Sequence, residues 1–363
     1  MASRSVTPST HGSRAIAAWL HNPVFDLSFI FGILALATAM SGATVLKPTL
    51  LLPMLLAHAW LFGYDHLVAT YTKLAGRPAD RARNRRLILY VPPLVLVGLY
   101  ALGWSAGVRG LYALYFGWQL FHTVRQSWGI AQQYRQRAGG MAWDPERLAE
   151  ATLWSVPLWG LFHRCAEQPE EFLYQPIWLP PMPSAVVQAA GLASGALWLY
   201  FVFTRVKAYR RGELPLGHTL YMLSHLVAYL GGYLLIEDIG SGWLLVNVWH
   251  NVQYLAFVWL HNRRRFAAGI APDAPVLSWL SQPGYGRAAI YYLACLAIAT
   301  PAYYLVLRFA AGADRVLQSS ALPTILVLSM TLTVHHYIVD GIIWKRRHNP
   351  TATIAGFDPR KNP

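Results

Sequence analysis

The chain has 363 residues, 55% of them hydrophobic and 13% charged, with a formal net charge of +14. Soluble domains carry about 25% charged residues, and here the apolar excess recurs in blocks of about 20 residues, enough to cross about 30 Å of hydrocarbon. A soluble domain is excluded, and so is a nucleic-acid partner, because the basic residues sit in short loops between apolar blocks, where they set orientation.

Ten apolar blocks follow in chain order, near 24–46, 49–72, 87–106, 110–135, 150–163, 184–205, 217–236, 241–262, 286–310 and 321–344. The fifth is short for a crossing and reads as tilted, re-entrant or misdrawn. The implied fold is all-α, a polytopic membrane bundle forming a single domain over 1–363, with tails over 1–23 and 345–363. Ten crossings put both termini on one side. With that side inside, the inner segments hold 24 of the 30 Lys and Arg, from Arg4 and Arg14 through the runs around Arg77, Arg135, Arg205 and Arg263 to Lys345 and Arg346. The outer segments hold only Lys47, Arg109, Arg164, Arg308 and Arg315, and Arg125 lies within a span. That split is what the positive-inside rule predicts for a multi-pass protein of the plasma (bacterial inner) membrane with cytoplasmic termini.

The segment before the first block is long and shows no small-residue cleavage site after a short apolar region, so the first block reads as a retained span. Cys165 and Cys295 fall in different environments and offer neither a disulfide framework nor a thiolate metal site. The loop 164–183, with Glu167, Glu170, Glu171 and several prolines, is the largest outer element and reads as a cap.

The spans carry ionisable groups, which are expensive in a bilayer and mark working sites. In the second span, His58 and Asp65 are seven residues apart and share a helical face, while His66 points about 100° away from Asp65. In the fourth, Gln119, His122 and Gln126 form one stripe, flanked by Arg125. The seventh carries His218, Tyr221, His225 and Tyr229. The eighth lines one side with Asn247, His250, Asn251 and Tyr254, with His261 further along. In the tenth, His336 and Asp340 are one turn apart and His335 is adjacent. Under the predicted topology, His66, His225, Gln126 and His335 lie roughly 9–14 Å from the inner end. His122 and His250 are a turn deeper and His58 is deepest, so several helices place histidine in one slab. The blander role of a membrane histidine is a hydrogen bond to a neighbouring helix, worth about 1 kcal/mol. His218 and His261 read as interfacial, His163 as structural, and His11, His21 and His348 as tail or loop residues.

Histidines with carboxylates and no thiolate suit iron, zinc or copper, and histidine plus carboxylate with open positions is the pattern of non-haem iron oxygenases. The expected ligands are His66, His122, His250, His335 and His336, followed by His58, His225, Asp65 and Asp340 as ligands or as acceptors that fix ring tautomers. Arg125 needs a partner, Asp65 or Asp340, unless it holds a carboxylate or phosphate of a substrate.

The pair His335-His336 resembles a histidine box of the membrane fatty-acid desaturases and hydroxylases. The chain has no HxxxH, however, and His122-x-x-x-Gln126 and His250-x-x-Gln253 carry glutamine in one box position. Single histidines spread over several spans are similar to the layout of the bacterial Brp/Blh-type carotene dioxygenases. The resemblance implies iron, mononuclear or dinuclear, together with dioxygen and a lipophilic substrate. The expectation is a membrane-embedded, metal-dependent oxidoreductase acting on a lipophilic or amphiphilic molecule among membrane lipids. No flavin or NAD motif is present, so any electrons come from a separate donor. Two other classes fit the same residues. A proton- or ion-coupled transporter would use His-Asp chains as relays, and a membrane acyltransferase would use one buried histidine, with Asn247, His250 and Asn251 suited to it.

Overall fold

A computed structural model describes residues 15–317 and 323–344. The tail residues Arg4, His11 and Arg14, and the C-terminal tail from Lys345 to Lys361 with His348, lie outside the described residues. The described chain is all-α apart from four two-residue strands. Its main helices are α1 (Pro23–Leu46), α2 (51–75), α3 (Arg85–Arg137), α4 (Glu146–Glu167), α5 (Ser184–Arg211), α6 (216–235), α7 (Ile239–Arg265), α8 (Tyr285–Leu317) and α9 (Thr324–Ile343). Five of them, α1, α3, α5, α8 and α9, are long and apolar enough to cross a membrane. The short fifth block proves to be a 22-residue helix. Its first turns hold Glu146, Arg147 and Glu150, which are helical without being apolar.

Local chemistry sets the helix ends. Pro23 opens α1 where a missing N–H costs nothing, and Asn22 Oδ1 accepts from Phe25 N at 2.8 Å. The buried Asp26 carboxylate accepts from the N–H groups of Leu20, His21 and Asn22 at 2.8, 2.9 and 3.2 Å. In α3, Gly107 has φ +64° and ψ −166°, a region essentially closed to other residues. There the chain reverses. Leu87 O meets His335 Nε2 at 2.9 Å near one end of α9, Tyr100 Oη meets Thr324 Oγ1 at 3.4 Å at the other, and Gln126 returns to Asp340. The two halves of α3 therefore run up and down the same helix.

The core is α7, buried on almost every side from Ile239 to Asn262. An all-round buried helix needs polar residues that pair internally. Ser41 donates to Ser241 O at 2.7 Å and Thr44 to Ser241 Oγ at 2.8 Å, which ties α1 to α7. On the α6 side, a Cβ at Gly242 would lie 2.0 Å from Gly232 O and one at Gly232 would lie 2.6 Å from Gly242 O, so paired glycines let the two backbones touch.

At one end of the bundle the loops interlock. Arg77 pairs with Asp273 at 2.7 Å, Arg265 with Asp80 at 2.5 Å, and Arg135 and Arg205 with the buried Asp144 at 3.2 and 2.6 Å. Strands β1 (Ala15–Ile16) and β4 (Leu214–Pro215) pair in parallel at the same end. These are the segments that the basic-residue alternation assigns to one side. In the loop 164–183, β2 (Glu171–Phe172) and β3 (Gln175–Pro176) form a hairpin. It seats Phe172 against Tyr112, Tyr115, Phe116 and Trp243.

Candidate metal centre

The site begins with an irregularity in α2. Residues Ala59–Gly63 form a π-turn between His58 and His66, and such a turn adds one residue to the helical repeat. Uninterrupted α spacing would align His58 with Asp65. The extra residue aligns it with His66 instead, and His58 and His66 both line a cavity of about 480 Å³ that Asp65 does not reach. Asp65 is turned away, near Tyr292 and Cys295 of α8. It is fully buried, and its Oδ1 accepts from His66 N at 2.8 Å.

Four imidazoles close a ring. Centroid distances are 4.5 Å for His66–His336, 4.8 Å for His336–His122, 5.2 Å for His122–His250 and 6.0 Å for His250–His66. All four side chains are buried. Helices α2, α3, α7 and α9 contribute one each. Among the described residues, the Nε2 atoms of His122 and His250 are buried without a hydrogen-bond partner.

The tautomers of the other two rings depend on their partners. His66 Nδ1 lies 2.8 Å from Gly63 O. A carbonyl only accepts, so Nδ1 carries the proton and Nε2 of the neutral ring offers a lone pair. Tyr254 donates to Asp340 Oδ1 at 2.8 Å, Thr70 Oγ1 lies 2.9 Å from Tyr254 Oη, and His336 Nδ1 lies 2.8 Å from Thr70 Oγ1. When Tyr254 gives its proton to Asp340 and Thr70 gives its own to Tyr254, the Thr70 oxygen accepts from His336 Nδ1 and His336 Nε2 presents a lone pair. When Thr70 donates to His336 Nδ1, His336 Nε2 carries the proton and donates to His66 Nε2. The two Nε2 atoms are 2.9 Å apart. With metal–nitrogen bonds of about 2.1 Å, two imidazoles at right angles on one ion place their nitrogens about 3 Å apart.

Asp340 supports this centre from one turn below. Its Oδ1 accepts from Tyr254, its Oδ2 from Gln126, and Oδ2 is 3.7 Å from His336 Nε2. Among the described residues, His122, His336 and Asp340 are the group of three whose donor atoms all lie within 4.8 Å of one another. Both Asp340 oxygens are engaged by donors, whereas the Nε2 atoms of His122 and His250 have no partner among the described residues, which favours the rings over the carboxylate as donors. A carboxylate that orients a ligating ring through intermediaries is a recurrent part of metal sites.

The structure keeps several expected ligands apart from the ring. His335 uses both nitrogens elsewhere, with Tyr71 Oη 2.9 Å from Nδ1 and Leu87 O 2.9 Å from Nε2. His225 Nε2 donates to Leu153 O at 2.9 Å, and the ring packs on Tyr229 and Trp249. Both make the helix-to-helix hydrogen bond of an ordinary membrane histidine. His58 lines the cavity, but its Nε2 takes Asn251 Nδ2 at 2.9 Å and its ring stands edge-on to Trp243 at 5.5 Å. Arg125 pairs with neither Asp65 nor Asp340. It donates to Glu150 at 3.0 Å, because the α4 face that carries Glu150 is nearer than the bundle interior. His218 and His261, expected at an interface, are buried.

Thr70 and Gly63 are functional positions that sequence reasoning did not single out. Thr70 stands at i+4 from His66, the spacing that shares its face, and that was the available signal. Tyr254 was legible as part of the α7 stripe, without its role.

The cavity above the ring is walled by Tyr64, Tyr112, Tyr115 and Tyr303, with Met330 and Leu55, and the hairpin residue Leu173 closes part of it. A second cavity of about 600 Å³ lies on the other side, and His122 and Tyr337 line both. These two rings stack, with centroids 4.2 Å apart. No family model, curated protein or solved structure matches the chain.

Proposed function

We propose that this chain is a ten-span membrane protein with cytoplasmic termini, in the plasma membrane, that holds a transition metal on His66, His122, His250 and His336. In this reading it is a non-haem iron oxidoreductase acting with dioxygen on a lipophilic or amphiphilic substrate. The observation that carries the metal assignment is the convergence of four buried imidazoles, with His66 Nε2 and His336 Nε2 2.9 Å apart and the Nε2 atoms of His122 and His250 without a hydrogen-bond partner among the described residues. A metal ion satisfies all four nitrogens, whereas a shared proton satisfies only the closest pair. Nitrogen donors without thiolate suit iron, copper or zinc, and the scattered-histidine layout favours iron.

Bound iron would supply the binding and activation of dioxygen. The chain's own residues do the rest. Gly63 and Thr70 hold the Nδ1 protons of His66 and His336 and so aim both Nε2 atoms inward. Asp340 anchors the Thr70–Tyr254 chain and sets the direction of its protons. The tyrosine-walled cavity excludes water and accepts an apolar body against the ring of imidazoles.

The test is elemental analysis of the full chain purified from cells supplied with iron, zinc and copper together. The expected result is one or two equivalents of iron per chain. Protein free of stoichiometric transition metal overturns the assignment, and stoichiometric zinc with no dioxygen consumption overturns the oxidoreductase reading while keeping the site.

A further inference from the structure

The second cavity lies on the side of His122 away from the tyrosine-walled one. His122, Gln126, Tyr254 and Asp340 of the proposed metal centre form its inner wall, and its outer part is not used by that centre. Its lining on α3 runs from Trp118 to Gln133, which at 1.5 Å per residue follows the helix for about 22 Å. Its volume of about 600 Å³ falls within the range of small-molecule sites, about 300–1,000 Å³. About half of the lining residues are aromatic, with Trp118, Phe121, Trp154 and Phe257 among them, and Gln126, Gln133 and Asp340 add polar groups.

Two glycines help to keep it open. Gly129 of α3 and Gly341 of α9 both line the cavity, and a Cβ built on either meets nothing within 4 Å. Helix-interior glycine costs about 1 kcal/mol relative to alanine. Neither close packing nor positive φ requires glycine at these two, and a larger side chain at either would enter the cavity.

At the rim stands the one ion pair of the lining, Arg125 Nη1 to Glu150 Oε1 at 3.0 Å, with the side chains 44% and 35% exposed. That contact engages one nitrogen of a fork with five N–H donors and one oxygen of a carboxylate that can accept several bonds. The pair is neutral as a unit. A carboxylate or phosphate head placed there meets Glu150, and an amine meets Arg125. A hydroxyl group accepts from the guanidinium and donates to the carboxylate, so it satisfies both.

We propose that this cavity is a second ligand site, shaped for a neutral lipid whose hydroxyl seats between Arg125 and Glu150 and whose apolar chain lies along α3 toward His122. The hydroxyl seat at Arg125 and Glu150 makes no use of a metal, so metal-stripped protein is expected to take the label at the rim.

The test is photolabelling of the full-length protein in nanodiscs with a diazirine-bearing fatty alcohol, mapped by peptide mass spectrometry and competed by oleyl alcohol, oleate or oleylamine. Label is expected on residues 118–133 and around Trp154, with oleyl alcohol competing best. The two charged analogues should need about tenfold or more higher concentration, a conservative figure for like charges at a partly buried rim. Glu150→Gln narrows the gap for oleate, Arg125→Gln narrows it for oleylamine, and Gly341→Leu, which fills the cavity from α9 and not from the helices that carry the rim pair, removes the label. Equal competition by all three analogues, or label unchanged by both Gly129→Leu and Gly341→Leu, overturns the proposal. Running the same competition on metal-free protein separates this result from the fate of the metal assignment.

Discussion

His66 Nε2 and His336 Nε2 face each other at 2.9 Å, while their Nδ1 atoms lie 2.8 Å from Gly63 O and 2.8 Å from Thr70 Oγ1. The two residues are 270 positions apart and come from different helices, α2 and α9. With the unpartnered Nε2 atoms of His122 and His250 beside them among the described residues, the arrangement is one that a metal ion would complete.

The first consequence concerns metal content. Alanine at His66, His122, His250 or His336 each removes one donor, and each variant is expected to lose most of its bound metal in elemental analysis. His225→Ala and His335→Ala remove interhelical hydrogen bonds only. They should keep wild-type metal while unfolding at slightly lower temperature, in keeping with about 1 kcal/mol per bond. Metal loss in the second pair with retention in the first would reverse the assignment.

A graded effect is expected along the hydrogen-bonded chain. Thr70→Val leaves the His336 Nδ1 proton without an acceptor and frees the ring to adopt the other tautomer. Removing such an orienting partner typically weakens metal affinity about 10–100-fold. Tyr254→Phe keeps Thr70 and should cost less. Competition with a chelator of known affinity reads both, and equal affinities for Thr70→Val and wild type would show that the tautomer is set elsewhere.

Backbone contact between α6 and α7 makes two glycine substitutions diverge. At Gly242 an added methyl lies 2.0 Å from Gly232 O, whereas at Gly42 of α1 it meets nothing within 4 Å. Gly242→Ala should destabilise by about 1–3 kcal/mol through overpacking, and Gly42→Ala should stabilise by up to about 1 kcal/mol through helix propensity. Thermal unfolding in one detergent compares them directly, and shifts of the same sign would contradict the close approach.

The hairpin over the first cavity carries stored strain. Leu173 and Tyr174 occupy both central positions of its turn with φ +52° and +61°, where glycine and asparagine are preferred. Tyr174 is half exposed and gives up little packing. Tyr174→Gly is therefore expected to raise stability by about 1 kcal/mol, seen as a higher unfolding temperature, and a lower one would mean that the tyrosine ring matters more than its backbone.

Much of this architecture was legible in the residues. The apolar blocks mark the helices, and Gly107 falls in the gap between the blocks at 87–106 and 110–135 because a reversal needs a backbone only glycine adopts. The basic residues mark the loops that interlock at one end. His66, His122, His250 and His336 stood out as polar groups in apolar helices. What periodicity could not separate was ligand from neighbour. His335 and His336 are adjacent and chemically identical, and which one faces inward depends on how α9 rotates against α2 and α3. Arg125 was assigned to Asp65 or Asp340 because hydropathy shows which residues are helical but not that α4 packs its Glu150 face beside α3.

The wide turn at Ala59–Gly63 bears on how the chain tolerates insertion and deletion. Removing a single residue there would restore regular winding with His58 and His66 seven apart and still on one face, so the downstream helix would keep its facing. Straightening the turn at unchanged length would instead rotate everything downstream by about 100° and swing a carboxylate into the position an imidazole holds. The extra residue, as much as the spacing of the histidines, decides which donor meets the cavity.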